Sequence, residues 1–322
     1  MPVDIVKPVL KWVGGKNQII REILDTFPTE ITDYHEPFLG GGSVLLALLS
    51  YREAGKISVS GTVYASDLNE NLVHTYKNLQ TKCDKVIEEL DKLVEAFEKC
   101  KGTVVHRKPK TLEEAATSQE SYYYWTRTAY NDTTREERNS PKGTAMFLFL
   151  NKTCFRGVYR EGPKGFNVAF GHYNKPTVFV RDHLIRVSEL VRGVVFRCAK
   201  FDESLMDVRP SSFVYLDPPY APVSRTSFVG YTEDGFDEGK HKQLFGLCNA
   251  LADGGVYLVM SNADVPFVRN NFPEDRYLTR RISCRRAIDS KNPASRANEI
   301  VIQSFRPQGP AKGVKRFLDM GI

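Results

Sequence analysis

The 322-residue chain is predicted to fold as a doubly wound α/β sheet with an antiparallel edge, interrupted once by an inserted, mainly helical segment. Three observations point there. Apolar strand-like runs alternate with helical runs up to residue 79 and again from 181 to 264. That rhythm breaks between 80 and 180. Two late apolar runs, 276–286 and 298–305, follow each other with a basic loop between them, as antiparallel neighbours do.

Each element has a local reason. YHEPFLGGGSVLLALL (34–49) reads as a short strand, a glycine turn and a buried helix, with Ser43 placed to cap the helix. GTVYASDLNENLVHTYKNL (61–79) repeats the pattern, with a strand ending at Asp67 and Asn69 in the first turn of a helix. In the insertion, KVIEELDKLVEAFEKC is helical, HRKPK is a basic turn and SYYYWTRTAYN (121–131) is an aromatic helix. The stretch from 147 to 176, FLFLNKTCFRGVYREGPKGFNVAFGHYNKP, reads as an irregular basic hairpin. Alternation then resumes with the helix HLIRVSELV, the strand VVFRCAKF, and SSFVYLDPPY (211–220), a strand ending in a polar tetrad. KHKQLFGLCNALADG is a helix closed by glycine, and GVYLVMSNAD (255–264) a further strand. The organisation expected is one discontinuous domain, 1–79 with 181–305, an inserted domain at 80–180, and a basic, Pro/Gly-rich mobile tail at 306–322.

Composition narrows the class. A net charge of +6 favours a polyanionic partner. The six cysteines are scattered without a C-x-x-C pair, which argues against a zinc site or disulfide framework and suits a reducing, intracellular setting; no metal is expected. Lys7, Lys11 and Lys16 interrupt any secretory core, and VLLALL (44–49) is too short to span a bilayer, so no membrane association is expected.

LKWVGGKNQ (10–18) suggests a phosphate loop but fails as one. A loop of the G-x-x-x-x-G-K-[ST] type needs glycine where Leu10 stands and Ser or Thr where Asn17 stands. EPFLGGGS offers Gly40-x-Gly42 after a strand, although Leu45 occupies the place of a third glycine, and an ordinary strand–helix turn gives the same partial match. Asp67, an acid at the end of the next strand, suits a ribose hydroxyl. Taken together these point to an adenosine-containing ligand. VYLDPPY is the sharper signal: Asp217 emerges from an apolar strand, Pro218 and Pro219 remove amide donors while leaving carbonyls, and Tyr220 adds a ring. Two acceptors and a ring suit the exocyclic amino group of a flat heterocycle.

In this order LKWVGGK, EPFLGGGSV, SDLNENLV, YYxxRxxYN (123–131), NKTCFRGVYR, FNVAFGHY, DPPYAP, FxxY (228–231), SNAD and NEIVI resemble the Dam-type, or α-group, DNA adenine-N6 methyltransferases across residues 10–303. The resemblance implies a class I S-adenosylmethionine-dependent methyltransferase fold, Rossmann-like, with the insertion as target-recognition domain. It implies S-adenosyl-L-methionine as cofactor and site-specific methylation of a flipped adenine in double-stranded DNA, at GATC or a related palindrome. Trp12, Gly14, Gly15, Lys16, Glu36, Phe38, Gly40, Gly42, Asp67, Asp217 and Phe201, the last in the strand before DPPY, would hold the cofactor, with Lys16 a partner for its carboxylate. Asp217, Pro218, Pro219 and Tyr220 would hold the adenine.

Lys152, Phe155, Arg156, Val158, Arg160, His172 and Tyr173 would meet DNA, with Phe155 an intercalating wedge, Val158 and Arg160 on base edges, and Lys11 on the first base. Their mix of cations and aromatics suits that task on composition too, although a hairpin packed on its aromatics would look alike. Arg156, Ala169 and the turn EGPKG depart from the family's usual residues there, which separates the chemistry from the choice of sequence. A second basic cluster, Arg280, Arg281, Arg285, Arg286, Lys291 and Arg296, offers phosphate contacts or a solvated loop. A monomer or weak dimer is expected, with a cognate restriction endonuclease as a possible partner. The alternatives left open are a cytosine-N4 or RNA adenine methyltransferase, or a DNA-binding module that keeps the fold without turnover.

Overall fold

In the computed structural model the described residues are 2–222, 236–285 and 296–306, as backbone alone at 283–285 and 296–298. The 228–231 motif, tail residues 307–322, and the side chains of Arg285, Arg286, Lys291 and Arg296 lie outside them.

A seven-stranded sheet organises the molecule. Its strands are β1 (Tyr34–Glu36), β2 (Val63–Asp67), β3 (Val194–Cys198), β4 (Phe213–Leu216), β5 (Tyr257–Ala263), β6 (Leu278–Arg285) and β7 (Arg296–Gln303). They lie in the order β3-β2-β1-β4-β5-β7-β6. The first five are parallel, with Tyr34 of β1 opposite Val63 on one side and Phe213 on the other. β7 is antiparallel to both of its neighbours. All four residues of β4 are buried, as a central parallel strand covered on both faces requires. Strand order reverses between β1 and β4, which opens a crevice at their carboxyl ends.

Helices cover both faces. α1 (Ser43–Glu53), α2 (Glu70–Lys99), α3 (Gln119–Asn131), α4 (Pro141–Thr153) and α5 (Arg181–Leu190) contribute to one large apolar cluster, which runs on without a break from the sheet to Phe166 and Phe170. A second cluster lies between β4, β5, β7 and α6 (Glu238–Asp253).

Four local expectations are corrected. The helical runs before and after residue 80 form one element, α2, kinked at Lys82, where φ and ψ leave the helical region. Residues 147–153 are not hairpin but the second half of α4. Ala145 to Leu150 are buried on every side, so the run has no amphipathic period to betray a helix. The hairpin that remains is short, Glu161–Gly162 against Gly165–Phe166, with a bridge from Cys154 to Phe170. Phe201 is not in a strand: β3 stops at Cys198, and Phe201 opens a short helix to Leu205. Ser43 does not cap α1 but is its first helical residue; the cap position belongs to Gly42, and the Ser43 hydroxyl accepts the Lys16 amide instead, at 3.2 Å. Asn69 caps α2, accepting the Asn71 and Leu72 amides.

Gly42 shows why glycine is needed in this turn. Its φ is +76°, and a Cβ there would lie 2.3 Å from the Tyr76 hydroxyl, which itself donates to the Gly41 carbonyl at 2.7 Å. Gly55, at φ +65°, faces open space. Gly42→Ala is expected to cost about 2–3 kcal/mol in denaturant unfolding, against about 1 kcal/mol for Gly55→Ala. Equal losses would show that Tyr76 yields at no cost.

Candidate active site

The carboxyl ends of β1, β2, β4 and β5 converge on a cavity of about 1400 Å³. Glu36, Asp67 and Asp217 arrive there from the ends of β1, β2 and β4. Among the described residues, six carboxylates line it (Glu36, Asp67, Asp202, Asp217, Asp264, Glu299) against three lysines (Lys16, Lys200, Lys240). A protein of net charge +6 therefore encloses an acid-rich cavity, which suits a ligand carrying positive charge.

Asp217 is the centre of one side of the cavity. Its Oδ2 pairs with Lys16 Nζ at 2.7 Å, and Lys16 is almost wholly buried. Oδ1 is buried and meets no donor among the described residues. Burial pushes the Asp217 carboxyl above its ordinary range, while the Lys16 charge and hydrogen bond pull it down. Lys16 Nζ also donates to the Gly14 carbonyl at 2.6 Å and lies 5.0 Å from the centre of the Tyr220 ring. The rest of the tetrad is held from outside: Pro219 O lies 3.0 Å from His241 Nε2, the Ala221 amide donates to Asn262 Oδ1 at 3.1 Å, and the Tyr220 hydroxyl donates to Glu299 Oε2 at 2.7 Å.

The other half of the cavity is built by Trp12, Gly14, Gly15, Lys16, Glu36, Phe38, Gly40, Asp67 and Phe201. Trp12 lies so close to the glycine turn that a Cβ on Gly41 would come within 2.8 Å of its own. The Asp67 carboxylate ties the turn to α2, accepting the Gly40 amide on Oδ2 and the Asn69 amide on Oδ1, at 2.8 and 2.9 Å. Burial raises the Asp67 carboxyl, and those amides oppose the shift. Glu36 is fully enclosed and pushed well above the carboxylate range by burial, although Tyr34 donates to it at 2.7 Å. Phe38 and Phe201 stack at 5.7 Å, with Phe236 edge-on to Phe38. Gly42 does not line the cavity; it shapes the turn from behind.

The residues expected to meet DNA form a separate group, none of them on the cavity wall. Lys11, exposed, places Nζ 4.5 Å from the Tyr173 ring centre. Its backbone is clamped by Asn151, which accepts the Lys11 amide at 2.8 Å and donates to the Lys11 and Gly157 carbonyls. Lys152 is half-buried, and burial together with Lys11 lowers its pKa to about 8. Phe155 is 52% exposed with the Arg156 guanidinium over its ring, and Arg156 has φ +57°. Val158 is half-buried. Arg160 is exposed and donates to Asn167 Oδ1 at 2.6 Å, and exposed His172 lies 3.7 Å from Glu120. His241, Asn262, Phe236 and Glu299 went unassigned in the sequence. For the last two of the tetrad's holders, the SNAD and NEIVI motifs were the available signal.

A sheet in this order with its last strand reversed, and a cavity over the switch point, defines a class I methyltransferase fold. Residues 12–283 match the model of the D12 class N6 adenine-specific DNA methyltransferases, and the chain belongs to that family. It is 37% identical over 265 residues to the type II methyltransferase M.MjaIII of Methanocaldococcus jannaschii, covering 80% of this chain and 84% of that protein. It is 29% identical over 293 residues to the DNA adenine methylase of Haemophilus influenzae, 90% of each chain, and 26% over 307 residues to that of Escherichia coli K12, 94% and 97%. The chain is a site-specific adenine-N6 DNA methyltransferase, an enzyme whose methyl donor is S-adenosylmethionine and whose substrate is DNA. Among the described residues no helix is long and apolar enough to cross a membrane.

Lys16 lowers the Asp217 pKa, so its removal raises it. In Lys16→Met the acid limb of the methyl-transfer rate is expected to move to higher pH. An unmoved limb would show that this pair does not set the ionisation that matters.

Proposed function

We propose that the cavity binds S-adenosylmethionine along the side formed by Trp12, Lys16, Glu36, Phe38, Gly40, Asp67 and Phe201, and a flipped adenine against Asp217, Pro218 and Tyr220. The observation that carries this reading is the Asp217 carboxylate at the cavity wall, with one oxygen on Lys16 and the other meeting no donor among the described residues. A buried acceptor left open costs free energy unless a ligand completes it, and an N6 amino group is such a donor. His241 occupies the Pro219 carbonyl, whereas no donor among the described residues reaches that of Pro218, which is left as the second acceptor.

The cofactor supplies a methyl group on a sulfonium sulfur, a cationic centre that the surrounding carboxylates favour. Its adenosine end fits between the Phe38 and Phe201 rings and the Asp67 carboxylate, and its methionine end fits the Gly14–Lys16 loop. Asp217 and the Pro218 carbonyl, accepting the two N6 hydrogens, turn the nitrogen lone pair out of the ring plane and toward the donor. They also stabilise the positive charge that grows on N6 as transfer proceeds. Tyr220 stacks on the base and offsets part of the few kcal/mol that flipping costs.

Residues 1–79 and 181–305 serve as the catalytic body and 80–180 as the recognition domain, with exposed Phe155 as the wedge at a base step. Lys11 and Lys152 lie together beside it. The recognised site is a short duplex sequence of the GATC kind or a related palindrome. The enzyme acts inside the cell as a monomer or weak dimer, and the type II name of its archaeal relative supports pairing with a restriction endonuclease of the same site.

Two substitutions test the assignment. Asp217→Ala is expected to bind S-adenosylmethionine by calorimetry yet transfer no methyl group to duplex DNA; near-normal turnover would remove Asp217 from the mechanism. Arg160→Ala is expected to lose about 1–3 kcal/mol and to relax selectivity at one base, read by sequencing the methylated sites. A uniform loss across sequences would make Arg160 a phosphate contact instead.

A further inference from the structure

β7 enters the site because it runs against its neighbours. Its early residues, rather than its last, reach the edge where β4 and β5 end, and Glu299 stands opposite Ala263 of β5. Val301 pairs with Ser261, and carrying the β4 register one residue past Leu216–Met260 sets Asp217 beside Ser261. Strand alternation therefore puts Glu299, Ala263 and Asp217 on one face of the sheet, with the small Ala263 side chain between the two acids. Glu299 lines the cavity, and its Oε2 accepts the Tyr220 hydroxyl at 2.7 Å. The Tyr220 ring is thus held at two points, by Lys16 Nζ over its face and by Glu299 at its tip.

An acid here has a consequence for its neighbours. Its charge adds to burial in opposing ionisation of Asp217, and the Tyr220 hydroxyl is itself within reach of Asp217. A carboxylate that merely filled the start of a strand would be a liability beside a group that must be charged.

We propose that Glu299 is a positioning residue for methyl transfer: its hydrogen bond fixes the Tyr220 ring as one wall of the adenine pocket and draws the tyrosine hydroxyl away from Asp217. The Asp217 oxygens then remain for the N6 amino group. This rests on the reading of Asp217–Tyr220 as the adenine pocket, and it assigns no bond-making or proton-transfer step to Glu299.

The test compares wild type, Glu299→Ala, Glu299→Gln, Tyr220→Phe and the Glu299→Ala/Tyr220→Phe double variant. Each is assayed for tritiated-methyl transfer into unmethylated plasmid DNA at saturating S-adenosylmethionine, with donor affinity by calorimetry. Glu299→Ala is expected to lose about 10–100-fold in kcat with donor Kd within about twofold of wild type. Glu299→Gln keeps an acceptor for the tyrosine, so it recovers most of the rate. It also moves the acid limb to lower pH, because the charge opposing Asp217 ionisation is gone. The double variant is expected to be no slower than the slower single one. Wild-type turnover by Glu299→Ala, or losses that multiply in the double variant, would overturn the proposal. Should Glu299→Ala fail to fold, a Glu299→Gln enzyme with reduced kcat and an unmoved acid limb would overturn it equally. Failure of the wild type itself to methylate DNA would instead sink the underlying reading of the pocket.

Discussion

The contact between Lys16 and Asp217 is the constraint on which the site depends. It joins two loops 200 residues apart in the chain, one from the N-terminal glycine–lysine stretch and one from the end of β4. A carboxylate desolvated at a sheet edge is costly, and here burial does raise its pKa. The charge of Glu299 adds to that cost rather than relieving it. Lys16 is therefore the group that makes an ionised Asp217 tenable. Because the same ammonium also touches the Gly14 carbonyl and the Tyr220 ring, it fixes the loop expected to close on the cofactor and the ring expected to stack on the base. The glycine–lysine loop is thus tied to both the proposed adenine pocket and the proposed cofactor pocket.

What was legible in the sequence was whatever lies close together along it. DPPY is a contiguous tetrad at a strand end, and the EPFLGGG turn with Asp67 follows the familiar spacing of consecutive strand–turn units, so both were readable before any coordinates. The doubly wound class of the sheet, though not its strand order, is legible through alternation. What the sequence hid depends on neighbours that topology supplies. His241 reaches Pro219 from α6, Asn262 reaches Ala221 from β5, and Glu299 reaches Tyr220 only because β7 is reversed. No local pattern in KHKQLF marks His241 as the holder of another loop, and the SNAD and NEIVI motifs point to Asn262 and Glu299 without saying what they hold.

The local misreadings have the same physical origin. Ser43 carries the ordinary cap chemistry, but the turn needs a left-handed residue at the cap position, which only Gly42 supplies without strain, so the serine moves into the helix and serves Lys16. FLFLNKT lacks helical periodicity because α4 is enclosed by its neighbours, and a surface pattern cannot appear on an element without a surface.

The Trp12 ring, beside the glycine turn, stacks on Tyr159 of the 150–176 segment at 5.3 Å. The Tyr159 hydroxyl accepts from Asn71 Nδ2 at 2.8 Å, and Asn71 Oδ1 accepts from the Tyr130 hydroxyl at the same distance. Asn71 sits in the first turn of α2, directly after the Asp67–Asn69 corner that holds the glycine turn. Lys11, one residue before Trp12, is clamped by Asn151 to the Gly157 turn. The segment proposed to read DNA is therefore packed onto the loop proposed to hold the cofactor through rings and buried or part-buried hydrogen bonds. Packed contacts of this kind do not deform gradually. A shift of the reading segment on its target must either leave this joint intact, as a rigid body would, or break the Trp12–Tyr159 stack and disturb the cofactor wall. The segment proposed to read DNA and the loop proposed to hold the cofactor thus share one aromatic contact.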